Sequence, residues 1–316
     1  MKSNISKITT LLATFALPLA GMLVADTTSI QVGAGYRQDV LNWKLSDHGF
    51  NNPSHESHLH FKDLEIAFID VKGRTSLGCC PGYVRASYEY GWIFDGRLRE
   101  QINIEDRSSV DQRHRQGEVT TGHFQDITLH NDVKNSSYVW DFDIAFAYPM
   151  QCWCSELEIA PAIGFAVDHQ KIKLHDRASR RDASFSSSSD SDFANSDSSS
   201  SSSNHSSYRA QWWGPWVGFD FAYNSCNCWN VYGDLEIHFG RARRHRTSHT
   251  ETEYTDNYGR TKCFWGPSFR IGSNYIICEN LFLDGSFQFN KYFSYNHRDD
   301  LTWTSASIQL DLGYIF

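Results

Sequence analysis

Six apolar positions, Ala306, Ile308, Leu310, Leu312, Tyr314 and Phe316, interleave with Ser305, Ser307, Gln309, Asp311 and Gly313 at the end of this chain. A period of two puts successive side chains on opposite faces of a strand, so the segment has one apolar face and one small or charged face. The same pattern recurs upstream. Trp140, Phe142, Ile144, Phe146 and Tyr148 alternate with Val139, Asp141, Asp143, Ala145 and Ala147, and Leu157, Ile159, Ile163, Phe165 and Val167 with Glu158, Ala160, Ala162, Gly164 and Ala166. Val84, Ala86, Tyr88, Tyr90, Trp92 and Phe94 alternate with Arg85, Ser87, Glu89 and Gly91. Val231, Leu235, Ile237 and Phe239 do so with Tyr232, Asp234, Glu236 and His238. A soluble sandwich alternates too, but its strands average about 5 to 6 residues, whereas these run about 10 to 20. Strands this long, bulky and apolar along one whole face, fit a wall that meets lipid.

Ten such strands can be marked, near 29–40, 58–72, 83–100, 137–149, 156–172, 209–223, 230–245, 262–277, 281–295 and 301–316. The number is even, as single-chain bacterial outer-membrane barrels require. Connections at 78–82, 151–155, 224–229 and 278–280 are short, while most of the intervening ones are long and polar. Short periplasmic turns and long outer loops are the pattern of that class. The expected fold is therefore all-β, a transmembrane antiparallel up-and-down β-barrel of about 10 strands, with 12 open if the segment 101–136 holds a hairpin. Aromatic residues make up 15% of the 316, which argues against a disordered chain. Outside the N-terminus no run of about 18 apolar residues exists, so helical spans are excluded.

Residues 1–25 read as a signal peptide: Lys2 and Lys7 precede an apolar stretch over 11–24, and Ala25 stands before the polar Asp26. The barrel then occupies 26–316, in the bacterial outer membrane. Within it, 184–207 is a serine-rich segment that cannot bury a core and reads as an outer loop, solvated or adhesive. The formal net charge of −8 argues against a nucleic-acid partner.

Seven of the eight cysteines fall in the four short turns: Cys79, Cys80, Cys152, Cys154, Cys226, Cys228 and Cys278, with Cys263 elsewhere. Export implies an oxidising compartment, so these seven are disulfide candidates. Partners within one turn are poorly placed, which leaves links between turns or between molecules. Zinc is the rival reading, and no histidine sits in those turns. No metal or cofactor is expected. His55, His58 and His60 fit an exposed polar loop better than a metal site.

If the apolar face meets lipid, the other face lines a lumen. Alternation puts Asp63, Glu65, Glu89, Asp141, Asp143, Glu158, Asp220, Asp234, Glu236, Asp284 and Asp311 there, with Arg37, Arg85 and Arg270, and His238 in part. A water-filled lumen lined mostly by carboxylates favours cations. The expected function is a porin-like channel for passive diffusion of ions and small polar solutes, cation-preferring and not an enzyme. Ten strands enclose a narrow interior, whereas open porins use about 16 to 18. A closed structural or adhesive barrel is therefore the alternative. A third reading is an omptin-type protease, because Asp141 with Asp143, and Glu236 with His238, share a face at a two-residue spacing suited to activating water. Glu236 and His238, however, stand nearer the periplasmic turn than the outer mouth. Arg241, Arg243, Arg244, His245 and Arg246 form a basic cluster above the seventh strand, fit either for anionic lipid headgroups or for a solvated loop base. Pro161, Pro215 and Pro267 cannot donate to a ladder and predict bulges.

The terminal Phe316, the cysteine-bearing turns and the segments Tyr88-Glu89-Tyr90-Gly91-Trp92-Ile93-Phe94-Asp95-Gly96-Arg97 and Gln211-Trp212-Trp213-Gly214-Pro215-Trp216-Val217-Gly218 resemble the Protochlamydia outer membrane protein family of chlamydia-like bacteria. The resemblance implies porin activity for some members and supplies no catalytic residues. Disulfide-linked barrels are known in chlamydial envelopes, so it also implies disulfide bonds to other cell-envelope proteins. Outer-membrane lipid and further copies of the chain, as a homo-oligomer, are the remaining partner classes.

Overall fold

The computed structural model describes residues 27–47, 54–78, 80–105, 124–151, 156–175, 206–224, 228–248, 261–294 and 300–316. The signal peptide expected over 1–25 and nearly all of the serine-rich segment lie outside them. The strands are β1 (Thr28–Asp47), β2 (Ser54–Ser76), β3 (Tyr83–Glu105), β4 (Phe124–Val133), β5 (Ser137–Ala147), β6 (Met150–Gln151), β7 (Leu157–His175), β8 (Ser206–Asn224), β9 (Trp229–Ser248), β10 (Thr261–Cys278), β11 (Leu281–Ser294) and β12 (Leu301–Ile315). Every pairing is antiparallel, and β1 pairs with both β2 and β12, so the sheet closes into a barrel. In the wall, β4, β5 and β6 share one position. β4 runs beside Arg97–Glu105 of β3, β5 beside Tyr83–Ile93, and β6 beside the foot of β7. Ten wall positions result. β4 lengthens the fourth of them and adds no strand pair.

Long strands form here because each buries a face twice, once against lipid and once inside. Val32, Ile69, Ile163, Val217, Leu235, Ile308 and Leu310 point outward and are exposed, as are Trp92, Phe239 and Trp265 higher up the wall. Without water, wall backbone groups must pair within the sheet, which only a closed barrel achieves.

Further toward the long-loop rim the two faces exchange character. On β12 the inward residues run Asp311, Gln309, Ser307 and Ser305, then Trp303 and Leu301; the outward ones run Leu310, Ile308 and Ala306, then Thr304 and Thr302. On β1 the inward Arg37 and Asp39 give way to Leu41 and Trp43, while Asn42 and Lys44 face out. Above the lipid the outer surface meets water, so the apolar side chains turn inside.

The prolines resolve differently from the expected bulges. Pro161 and Pro267 keep their places opposite Phe219 and Ile237. Pairing between β8 and β9 skips Gly214 and Pro215 and resumes in the same register, from Trp213↔Arg241 to Trp216↔His238. Gly214 and Gly240 face each other there with no room for a Cβ on either, so the strands stay close where the proline lacks its donor. True register shifts occur at Asp39/Leu41, between Lys62 and Ile66, and at Ile276/Cys278.

Candidate functional site in the barrel interior

The lower half of the interior is a charged layer. Arg37 chelates Asp39 through Nε (2.8 Å) and Nη2 (2.9 Å), reaches Glu89 through Nη1 at 2.9 Å and pairs with Asp141. Arg85 holds Glu236 at 2.5 Å, Asp220 at 3.2 Å and Asp143 at 3.6 Å. Arg270 donates to Gln288 at 2.9 Å and lies 3.8 Å from Asp234. Lys72 binds Asp311 at 2.6 Å with Asp70 at 3.6 Å. Tyr83 donates to Asp220 and Tyr232 to Asp284, at 2.6 and 2.9 Å. Glu236 also meets His238 Nε2 at 2.8 Å. A cavity of about 60 Å³, lined by Arg37, Asp70, Arg85, Asp143, Asp168 and Glu236 among others, lies between these groups.

In the structure Arg37, Arg85, Glu89, Asp141, Asp143, Glu158, Asp220, Asp234, Glu236, Arg270, Asp284 and Asp311 face the interior, Glu158 at the lower mouth beside Arg74 at 3.8 Å. Two placements are corrected. Asp63 and Glu65 stand on the outer face, Asp63 beside Gln38 at 3.2 Å. Asp63 adopts φ 51°, and the bulge around it shifts the parity of β2 by one. Leu64 and Ile66 therefore point in, and so do Asp70 and Lys72, which the sequence reading missed. Asp39, Asp168 and Gln170 were missed as well. Each shares a parity already visible on its strand, Asp39 with Arg37 and Asp168 with Glu158.

Over the charged layer lies an aromatic one. The guanidinium of Arg37 sits 5.1 Å from the ring centre of Trp303, Arg85 lies 5.0 Å from Trp216, and Arg244 lies 5.2 Å from Trp43. Trp303 donates to Asp39 at 3.0 Å, and Gln170 donates to the same carboxylate from across the barrel. Trp212 of β8 stacks on Trp303 of β12 with centroids 5.2 Å apart, four wall positions away in a ring of ten. Tyr208 of β8 meets Trp43 of β1, directly opposite, at 6.1 Å and Phe61 of β2 at 5.2 Å. Tyr292 closes on Trp303 at 4.9 Å, on Phe264 at 5.1 Å and on His238 at 5.2 Å. Leu41, Leu59, Leu64, Ile66, Ile93, Leu98, Val133, Val139, Ile172 and Leu174 complete one continuous buried cluster. Trp43, Trp212 and Trp303 are at most 2% exposed. Rings from opposite walls thus meet in contact across the lumen.

The two pairs with catalytic spacing lie in or just above the charged layer. Asp141 and Asp143 are committed to Arg37 and Arg85, and Glu236 to both Arg85 and His238. A peptide arriving from the long-loop side would meet Trp212 and Trp303 first. Of the cysteines, Cys80, Cys228, Cys263 and Cys278 are unpaired and exposed. Cys79, Cys152, Cys154 and Cys226 lie outside the described residues. Among the described residues no group of three His, Cys, Asp or Glu side chains is arranged to hold a metal ion.

A closed antiparallel barrel of long strands, apolar outside and charged within, defines a bacterial outer-membrane β-barrel protein. The sequence profile of the Protochlamydia outer membrane protein family matches residues 31–316, nearly the whole chain, and the chain belongs to that family. No curated protein matches the sequence. Among solved structures, the outer membrane protease OmpT from Escherichia coli aligns with a TM-score of 0.56 at 10% identity, covering 92% of this chain and 97% of that one. OprG from Pseudomonas aeruginosa gives 0.31 at 8% identity over 92% and 96% of the two chains. Ail, the attachment invasion locus protein of Yersinia pestis, gives 0.29 at 8% over 92% and 99%. The likeness to OmpT is one of fold.

Proposed function

We propose that this protein is a closed outer-membrane barrel, a structural element of the envelope that carries outer loops, rather than a diffusion channel or a protease. The observation behind this reading is the aromatic layer: Trp212 on Trp303 and Tyr208 against Trp43 join facing walls, and the neighbouring space is filled by buried aliphatic side chains. The charged layer beneath supports it, because Arg37, Arg85, Arg270 and Lys72 cross-link most of its carboxylates from several strands. The cation-preferring pore expected from the acidic face gives way to the alternative weighed beside it. The test is swelling of liposomes containing the refolded protein in isotonic small sugars. A closed barrel leaves the rate at that of protein-free liposomes; swelling comparable to a general porin would overturn the reading.

The exposed thiols of Cys80, Cys228 and Cys278 stand on the short-turn rim, open to partners in an oxidising periplasm. We infer that they link the barrel to other envelope proteins. Unreduced envelope extracts are expected to show the protein above its monomer mass on gels, collapsing to monomer with reductant. A monomer band without reductant contradicts the link.

A further inference from the structure

The basic cluster above the lipid-facing wall divides when it is placed on the barrel. Arg244 turns inward, 3% exposed, and donates to the carbonyl of Lys44 across the lumen at 3.2 Å. Arg241 and Arg243 turn outward, and the register brings further cations to the same face. Arg209 of β8 stands directly opposite Lys171 of β7, Arg243 sits two residues above Arg241, and Lys173 lies two residues beyond Lys171. Among the described residues no Asp or Glu occupies the outer face of β7 to β10 across these rows, and Arg209, Arg241 and Arg243 make no ion pair there.

Two like charges directly opposite in a ladder destabilise the sheet; the Lys171 ammonium leans over the Tyr138 ring at 5.8 Å, and an anion between Lys171 and Arg209 would offset the repulsion further. The position says which anion. Arg241 is one outward step above Phe239, which pairs with Trp265; both rings are exposed, 46% and 47%, and form the upper edge of the lipid-facing band. A guanidinium at that height meets the headgroup level of the outer leaflet, and its planar fork matches two oxygens of a phosphate. We infer that Arg241 and Arg243, with Lys171 and Arg209 in the next outward row beyond Arg243, bind the phosphates of an outer-leaflet lipid whose chains lie along the aromatic edge below.

The β2–β3 face supplies an internal comparison. Arg97 and Arg99 also point outward there, but Asp63, Glu65 and Asp95 stand among them. The experiment uses the full folded chain in neutral-detergent micelles, titrated with diphosphoryl lipid A, phosphatidylcholine or inorganic phosphate. Bound lipid is counted by native mass spectrometry, and folding is checked by heat-modifiable gel migration. Lipid A is expected to stay bound where phosphatidylcholine washes off, with affinity falling about fivefold for each arginine removed in R209Q, R241Q and R243Q. R97Q/R99Q should bind as the parent does. Equal retention of the neutral lipid, equal loss in R97Q/R99Q, or protection by inorganic phosphate alone would each overturn the assignment. Should the triple variant fail to fold, the single variants and the salt dependence of the parent carry the same comparison.

Discussion

One guanidinium at Arg85 answers Asp143, Asp220 and Glu236, three side chains on three other strands, while stacking under Trp216. Removing one partner of a buried ion pair leaves charge uncompensated and costs about 3–5 kcal/mol, far more than the intact pair contributes. R85Q is therefore expected to lower unfolding stability in micelles by about that amount, and adding E236Q should restore part of it. Equal stability of R85Q and parent would show that the carboxylates are solvated. Trp303 is fully buried against Trp212, Tyr292 and Asp39, so W303A should cost about 3–5 kcal/mol in the same assay. Ile308→Ala, on the lipid face of the same strand, should cost far less. At this scale the sequence was informative about Arg37, Arg85 and Arg270, because each is a lone cation among inward carboxylates. Their partners across the barrel were not legible, since alternation gives a face and says nothing of the opposite wall.

On β2, a single residue decides which side chains are inside. Asp63 at φ 51° is what lets Leu64 and Ile66 point inward above Asp70. A residue without a Cβ adopts that backbone freely and a β-branched one does not. Asp63→Gly should keep or raise stability, and Asp63→Val should lose about 1–2 kcal/mol; denaturant unfolding of both variants reads the difference. A Val variant as stable as the Gly variant would remove the bulge from the account. Asp63 and Glu65 were misplaced because the apolar Leu64, Ile66 and Phe68 between and beside them read as the lipid face, whereas all three are buried inside. Strict parity holds along β12 and β9 and from Asp63 to Val71 on β2, and changes only between Phe61 and Leu64. The outward Ile69 and Val71 carried the corrective signal, since they require Asp70 and Lys72 to face in.

Over the whole molecule, the barrel reads as two regimes stacked on one wall. Near the short turns, lipid is outside and charge inside; near the long loops, water is outside and an aromatic core inside. The first regime was legible because it fills most of each strand with a single alternation. The second was not, because the expected first strand stopped near residue 40, just short of Leu41 and Trp43, and because alternation assigns Trp212 and Trp303 a face without saying whether lipid or water lies outside it. The layering also fixes orientation. In intact cells, a bulky maleimide should reach single-cysteine variants retaining Cys263 and not those retaining Cys80, Cys228 or Cys278. The reverse labelling would invert the barrel. The central claim is that the aromatic layer seals the lumen, and planar-bilayer conductance tests it most directly. The refolded protein is predicted to give no steady current, and the W43A/W212A/W303A variant to conduct. Stable single-channel steps from the unaltered protein would contradict the account.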